Sequence, residues 1–596
     1  MRPETLIPLM VLLPLLAAPA IFALPRRLSE VWAWALFISV LNFAVAVAVV
    51  VFAYLPAPGS EVSRLAEGGF FLTGAGWPWL EDFGLRISFG LDAISLWLVV
   101  LTALLMPITV LASRTAVTER YREYYMWLLL LEAAMIGTFI ATDVIFFYVC
   151  FEFTLVPMFF LIGIFGSTQR LKAARVFFLY TFTGSLLMLA GLIYLAYFNA
   201  AHDVATAAQT LAELRNISVA ESQAWLAGQE QAAALGHWTF DIQALTFTAQ
   251  TLMSPAQQGW LLLALLAGFA VKVPLFPVHT WLPLAHTEAP TAGSVILAGV
   301  LLKLGTYGLI RFALPMCPEA VVTFAPYIGV LAVIAILYTA LICWVQTDVK
   351  RLIAYSSVSH LGFCVLGLFA IDAERHIGQS GAVMYMVNHG LSTGALFLCI
   401  GMIYERFHTR ELAAMSGLGR VMPVWAFFFV LFCLASVGLP GLNGFIGEFL
   451  TLVGAFLATD TLGMGFAIAA GFGMILAAIY ILYMVGKVIW GPTKVPESHD
   501  HNPDAAHAAT AHHGPAVRDL NRREIAVLSP LAALCIFIGL YPFPMLQSLD
   551  KPVMTLTRPA AEVVAERADA RTEAEREQAA RLFEAIEHDA TREGRP

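Results

Sequence analysis

Two segments, GFAVKVPLFPVHTWLP (residues 268–283) and ASVGLPGLNGFIGEF (residues 435–449), place proline and glycine inside long apolar stretches. Stretches of that length and composition are typical of membrane-spanning helices. Backbone groups freed from helical hydrogen bonds are tolerated at that depth only where they line a polar cavity. The two segments therefore predict broken helices beside a hydrophilic path.

The composition of the whole chain agrees with a membrane protein. Of 596 residues, 59% are hydrophobic and 13% charged, against roughly 45–50% and about 25% in soluble domains. Charge-poor runs of about twenty residues recur between residues 5 and 546, which predicts an all-α polytopic membrane protein with about fourteen transmembrane helices. No basic patch suggests nucleic-acid binding. The seven cysteines form no CxxC pair, which leaves no basis for an iron–sulfur, zinc or disulfide site.

The distribution of Lys and Arg predicts the orientation. One set of alternate loops holds 17 of these residues, and the other set, without the C-terminal tail, holds six. Because cytoplasmic loops carry the excess of positive charge, both termini are expected on the outer side.

An internal repeat joins the two broken helices. Thr142-Asp143-Val144 recurs as Thr347-Asp348-Val349, and the Thr183-Gly184 pair recurs as Thr393-Gly394. Each copy runs into a proline-broken helix, and five helices separate the copies, so the second copy is inverted in the membrane. Inverted repeats with broken helices at matching positions are typical of ion transporters.

The expected organisation has five parts. Two long polar segments lie within it. Residues 199–258 are predicted to be an outer loop. Residues 491–523 are predicted to be an inner loop with five histidines, and we interpret this inner loop as a solvated linker. The tail is expected to be a charged surface helix or partly disordered. The parts are three N-terminal helices (1–124), the first repeat (125–315), the second repeat (316–490), the histidine-bearing loop with the last transmembrane helix (491–550) and the charged tail (551–596).

Several charged residues and histidines fall deep within the predicted spans. A single Lys or Asp at the centre of a transmembrane helix costs about 2.5–3.5 kcal/mol on insertion scales, so this many such residues indicate a role beyond packing. Together they form a row of titratable groups suited to moving a proton. The candidates are Glu132, Glu152, Lys272, Lys303, His360, His389 and Glu448.

Glu152 and Lys272 are expected to form the first pair of this row. At about 4 Å and an effective dielectric constant near 20, their attraction is about 4 kcal/mol. Moving the carboxylate away would favour release of the lysine proton. Carrying one proton across 100 mV requires only about 2.3 kcal/mol, so such a switch is large enough to drive transport.

The sequence resembles a known family at these residues. VKVPLFPVHTWLPLAHTEAPTAGSVILAGVLLKLGTYGLIRF (residues 271–312), AYSSVSHLGF (354–363) and SVGLPGLNGFIGEF (436–449) are similar to the antiporter-like M subunits of bacterial proton-pumping NADH:quinone oxidoreductase, respiratory complex I. The resemblance covers about residues 85–545. It implies a fourteen-helix subunit with two inverted five-helix repeats, which pumps protons when the quinone-reducing arm drives it.

The resemblance also assigns roles to residues. It implies that the helix 5 glutamate is Glu152, the broken-helix lysine Lys272, the central lysine Lys303 and the helix 12 acid Glu448, and it adds His279, His360 and His389 as family histidines. An acid at 448 favours M over the related L and N subunits, which usually have lysine there. Leu284 departs from the family, which usually has aspartate at that position, so the resemblance implies no proton-entry role for the loop after helix 7.

The resemblance implies no redox cofactor in this chain. NADH, FMN, iron–sulfur clusters and quinone are expected in partner subunits, L-like and N-like subunits are the expected membrane partners, and the bacterial inner membrane is the expected location. Alternatives on the same fold are a subunit of a multi-subunit Na⁺/H⁺ antiporter or of a membrane-bound hydrogenase. Alternatives of another class are a haem protein ligated by His360 and His389, which has no CxxCH motif in support, and a passive scaffold.

Overall fold

The computed structural model describes residues 3–54, 71–72, 77–494 and 518–593. The five histidines of the predicted inner loop lie outside the described residues. The described chain is almost entirely helical, with 21 helices that we number in chain order: α1 (Pro3–Ala20), α2 (Leu28–Tyr54), α3 (Ala93–Ala112), α4 (Tyr121–Ile140), α5 (Val144–Phe165), α6 (Arg170–Ala201), α7 (Val204–Arg215), α8 (Val219–Ala227), α9 (Ile242–Leu252), α10 (Pro255–Lys272), α11 (Trp281–Glu288), α12 (Thr291–Met316), α13 (Pro318–Trp344), α14 (Val349–Leu368), α15 (Ile377–Phe407), α16 (Leu418–Val421), α17 (Pro423–Val437), α18 (Asn443–Leu457), α19 (Met464–Ile489), α20 (Arg522–Leu540) and α21 (Phe543–Glu593).

Twelve of these helices are long and apolar enough to cross a membrane. Two further crossings are made of half-helices, α10 with α11 and α17 with α18, so the fourteen predicted spans are confirmed. The break predicted within residues 435–449 lies at residues 438–442, which separate α17 from α18. We call the side on which α1 begins the terminal face and the other side the opposite face.

Side chains satisfy the backbone groups that the two breaks set free. At the first break, Trp281 Nε1 donates to the Val271 carbonyl at 2.9 Å. At the second, Asn388 Nδ2 donates to the Asn443 carbonyl at 2.6 Å, and Asn443 Nδ2 donates to the Asn388 carbonyl at 3.2 Å. Gly438 (φ +79°) ends α17 in the left-handed conformation that glycine adopts without strain. The breaks are therefore ordered parts of the fold.

The repeated Thr-Asp-Val triplets have the same structural role in both copies. Asp143 caps α5 by accepting from the amides of Ile145 and Phe146, both at 2.9 Å, and Asp348 caps α14 by accepting from the Arg351 amide at 3.0 Å. Each triplet also pairs with an extended segment later in its own repeat. Val144 N donates to the Phe240 carbonyl, as Val349 N does to the Arg410 carbonyl. The repeat read from the sequence is thus also a repeat of hydrogen bonds, located on opposite faces of the membrane.

The terminal face carries more structure than expected. Residues 199–258, predicted to be an outer loop, contain the three helices α7, α8 and α9. Four short strands also lie on this face, and they pair antiparallel as β1 with β4 and β2 with β3: β1 (Phe71–Leu72), β2 (Trp77–Leu80), β3 (Leu85–Ile87) and β4 (Gly90–Leu91).

The charged tail is a surface helix, as predicted. In α21 the i,i+4 pair Arg558–Glu562 forms at 3.2 Å. The helix is fastened to the terminal face by Arg567, which pairs with Glu319 at 2.6 Å, and by Asp550, which pairs with His376 at 2.7 Å.

All seven cysteines are buried and free. They lie within or directly beside transmembrane helices and behave as small apolar side chains.

Candidate functional site

Lys303 lies at the centre of the molecule, fully buried on α12. Its Nζ donates to the Ala298 carbonyl and lies 2.6 Å from Nδ1 of His389 on α15. The Ala298 carbonyl belongs to the π-helical turn Leu297–Leu301, one of two such turns in α12. π-Helical turns are frequent at functional sites. The local backbone and a histidine thus hold the lysine amine within the bilayer.

A series of buried polar side chains continues from His389 to Glu448. The rings of His389 and His360 are 5.7 Å apart between centroids. His360 Nδ1 lies 2.5 Å from the Tyr385 hydroxyl, which donates to Glu448, and the same Nδ1 is 3.3 Å from Glu448 Oε1. All these side chains are at most 2% exposed. We call Lys303, His389, His360, Tyr385 and Glu448 the central chain.

Sequence reasoning missed two members of this neighbourhood. Tyr385 lies four residues before His389 on α15, so helical spacing places both on one face and was the available signal. Ser436 lies beside the second break, and its hydroxyl is 3.2 Å from His360 Nε2. Both ring nitrogens of His360 therefore have polar partners.

Glu152 and Lys272 lie at the other end of the row, between α5 and α10. Lys272 Nζ donates to the Thr154 hydroxyl at 3.2 Å and lies 4.3 Å from the ring centroid of Phe151. Glu152 lies between Phe151 and Thr154 in the sequence. Its carboxyl group is near enough to Lys272 for an electrostatic interaction. No ion pair within 4.0 Å joins them among the described residues. Glu152 Oε1 is buried with no hydrogen-bond partner in the same part of the chain. The pair is thus separated, with each charge held by a different environment.

The helices that carry Lys272 and Lys303 pack closely against each other. Gly305, two residues after Lys303, lies so close to the Phe269 carbonyl and the Val273 amide that a larger side chain would overlap them. Within the described residues, no direct hydrogen bond joins Lys272 to Lys303. A proton passing between the two lysines therefore needs water or side-chain movement.

Two of the predicted site residues lie apart from the central chain. His279 is in the first break, where its ring stacks on Phe276 with centroids 5.7 Å apart and faces Tyr338. Glu132 is fully buried on α4 and accepts a 2.7 Å hydrogen bond from Asn42 on α2. Leu284, the position that departs from the family, packs against the apolar core.

A cavity of about 720 Å³ opens towards the opposite face. It is lined by Tyr124, Lys350, Glu405 and Arg410, among others. Lys350 is buried and donates to the Ala289 carbonyl at 2.6 Å. Polar and charged groups therefore line a cavity at the beginning of α12 and the end of α15. These two helices carry Lys303 and His389.

The residues do not fit the alternative of a haem between His360 and His389. Both nitrogens of His360 face Tyr385 and Ser436. His389 Nδ1 contacts Lys303. Binding iron at His360 would break one of these contacts and leave a buried polar group unpaired, which typically costs about 1–3 kcal/mol.

Two family models match the chain. Residues 141–473 match "NADH:quinone oxidoreductase/Mrp antiporter, TM", and residues 78–138 match "NADH-ubiquinone oxidoreductase chain 4, amino terminus". The first match includes the capping residues Asp143 and Asp348, both helix breaks and all five residues of the central chain.

Individual relatives agree with the family match. NADH-quinone oxidoreductase subunit M of Rhodobacter capsulatus is 42% identical over 485 residues, which cover 81% of this chain and 85% of the relative. NADH-ubiquinone oxidoreductase chain 4 of Marchantia polymorpha is 40% identical and covers 80% of this chain and 84% of the relative.

Solved structures show the same architecture. A chain of respiratory complex I from Thermus thermophilus with bound NADH superposes with a TM-score of 0.73 and 27% identity, covering 93% of this chain and 99% of that chain. A chain of the Mrp complex from Dietzia sp. has a TM-score of 0.72, 20% identity and coverage of 94% and 99%, and shares the fold. The chain therefore belongs to the subunit M (chain 4) family of NADH:quinone oxidoreductase and is an antiporter-like membrane subunit of that enzyme.

Proposed function

We propose that this subunit moves protons along a row of side chains that begins at Glu152 and Lys272 and ends at Glu448. The observation that supports the proposal is the central chain, in which buried hydrogen bonds join Lys303 to His389 and join His360 through Tyr385 to Glu448, while the two histidine rings lie 5.7 Å apart between centroids. Amine, imidazole, phenol and carboxylate groups can each release and accept a proton, and histidine titrates near neutral pH. His279 and Glu132 make no contact with the central chain within the described residues, and we place neither of them on this route.

Charge can couple the two ends of the row. When Lys272 and Glu152 approach each other, their attraction competes with the contacts that Lys272 makes to Thr154 and to the Phe151 ring. When they separate, the protonated amine loses a stabilising charge and transfers its proton towards Lys303. Lys303 accepts this proton as a neutral amine, and the transfer places a positive charge beside His389 that favours onward movement through His360 and Tyr385.

The energy for this movement comes from outside the chain. We infer that NADH oxidation and quinone reduction, with FMN and iron–sulfur clusters, take place in partner subunits, and that L-like and N-like subunits flank this one in the bacterial inner membrane. Both termini are proposed to face the periplasm, since the Lys- and Arg-rich loops lie on the opposite face. The cavity at Lys350 would then be the entrance from the cytoplasm.

The test is proton translocation by the intact enzyme in sealed vesicles. Lys272→Ala and Lys303→Ala should each strongly reduce NADH-driven proton uptake while the complex still assembles. Lys487→Ala is the matched control, since Lys487 is also a lysine on a transmembrane helix but lies near the helix end against Tyr483, and its replacement should leave uptake unchanged. Normal uptake in the Lys303 variant would contradict the proposal, and sodium-dependent uptake would favour the Na⁺/H⁺ alternative.

A further inference from the structure

An apolar groove of about 660 Å³ lies on the outside of the helical bundle, away from the central chain. One wall is a single face of α17, where Pro423, Phe427, Val430 and Leu434 follow each other at helical spacing. The other walls come from Ile489 at the end of α19 and Ile536 on α20. The groove has a volume typical of a small-molecule site, about 300–1,000 Å³.

Three small residues are part of the lining of the groove: Gly419, Ala426 and Gly491. Ala426 lies on α17 between Pro423 and Phe427, so a larger side chain there would take up space in the groove. Phe427 and Ile536 on its rim are 61% and 38% exposed. On a membrane protein, a groove with exposed apolar walls faces the lipid, and the acyl chain of a lipid can enter it.

One end of the groove is basic. Arg420 lines it there beside Trp490, which is 61% exposed. Lys494 is held nearby, because Ser416 and Lys494 exchange two backbone hydrogen bonds of 2.9 and 3.3 Å. Arg406 and Arg410 form ion pairs with Glu524 and Asp348, whereas Arg420 has no ion pair within the described ranges. Tryptophan beside a cation is typical of the level of the lipid headgroups.

The length of the groove favours an acyl chain of one leaflet over a transmembrane helix of a neighbouring subunit as the occupant. From Pro423 to Leu434 it follows α17 for eleven residues, or about 16 Å at 1.5 Å per residue. Half of a hydrocarbon core of about 30 Å is about 15 Å, the thickness of one leaflet. A helix of a neighbouring subunit would cross both leaflets, whereas the lining of this groove reaches only Leu434 and Leu442, next to the second break.

We propose that the groove binds one acyl chain of an anionic glycerophospholipid whose phosphate is held by Arg420. The apolar walls accept the chain, and the guanidinium group matches the geometry and charge of a phosphate. The lipid belongs to the leaflet on the opposite face. This proposal concerns a binding site, and it stands independently of the route that protons take.

The test uses the purified intact enzyme in nanodiscs that contain phosphatidylglycerol with a photoactivatable group in its acyl chain. Labelling should map to peptides from α17 and α20 and should exceed that by a phosphatidylcholine probe with the same chain about fivefold, which corresponds to about 1 kcal/mol for one cation at the membrane surface. Arg420→Gln should lower phosphatidylglycerol labelling to the phosphatidylcholine level. Ala426→Leu, which fills the groove, should lower labelling by both probes.

Arg175→Gln is the matched control, because Arg175 is an exposed arginine at the same face on α6 and bonds only its own helix in the described chain. It should leave labelling of α17 and α20 unchanged. Equal labelling by the two headgroups, a preference that survives Arg420→Gln, or cross-linking of α17 to a neighbouring subunit in place of lipid would each overturn the proposal.

Discussion

Tyr385 donates its hydroxyl hydrogen to the carboxylate of Glu448 in the middle of the bilayer-spanning bundle. The same oxygen contacts His360 Nδ1. The tyrosine thus stands between the last histidine of the central chain and its acidic end. We infer from this position that the phenol carries protons, a role that the family resemblance does not assign to it.

Replacing Tyr385 by Phe removes that hydroxyl without changing the packing of the ring. A hydrogen bond to a charged group contributes about 1.5–3 kcal/mol, so proton transfer to Glu448 should slow roughly tenfold to a hundredfold. The measurement is NADH-driven proton uptake by vesicles containing the assembled enzyme. Tyr480→Phe, at a second fully buried tyrosine, should leave uptake unchanged, and normal uptake in Tyr385→Phe would remove the phenol from the path.

Gly438→Ala should disturb Glu448 directly. Gly438 has φ +79°, and an added methyl group would overlap the Glu448 carboxylate. Gly441 has φ +92°, but the nearest atom to an added methyl group is 4.0 Å away. Both alanine variants should lose about 1–2 kcal/mol of stability from the left-handed backbone, yet only Gly438→Ala should also lose proton uptake. Equal uptake in the two assembled variants would contradict this.

Thr154→Val tests how Lys272 is held. Valine keeps the shape of threonine but cannot accept the hydrogen bond from Lys272 Nζ. The amine should then move towards Glu152, and the rate of proton uptake should fall several-fold as one position of the switch becomes favoured. Thr181→Val is the control on α6, where the hydroxyl bonds only to the backbone of its own helix in the described chain. A fall of the same size in both variants would show a general packing effect.

Asn42 and Glu132 are expected to support the fold rather than proton movement. Asn42→Leu leaves the buried Glu132 carboxyl group without its hydrogen-bond donor and should cost about 1–3 kcal/mol of stability. The double variant Asn42→Leu with Glu132→Leu should be close to the wild type in thermal stability, because neither polar group remains. Proton uptake should be normal in every assembled variant, and its loss in Glu132→Leu would place Glu132 in the relay.

The fold was largely predictable because it follows from hydropathy. Fourteen crossings, two breaks and the repeated Thr-Asp-Val caps are all visible as apolar length, proline and glycine, and repeated polar triplets. Helices α7 to α9 were missed, since they are short, rich in alanine and polar on their exposed sides. Their N-cap residues Asp203, Ser218 and Asp241 were the available signal, and Ser218 even forms a capping box with Glu221.

The candidate site was less predictable. Charged residues and histidines stand out in apolar sequence, so Lys303, His389, His360 and Glu448 are recognisable as candidates from the sequence. Tyr385 is not, because buried tyrosines are common in membrane helices. The separation of Glu152 from Lys272 depends on where Phe151 and Thr154 point, and only the tertiary packing of α5 against α10 decides that.

The burial of every cysteine has a practical consequence for studying motion in this subunit. With no thiol at the surface, a single cysteine introduced on an exposed position should take up a maleimide dye or a spin label with little background. The native thiols can therefore stay in place, which avoids the cavities that replacing buried side chains would open. Distance measurements between two such labels, one on each side of a broken helix, would report whether that helix bends during turnover.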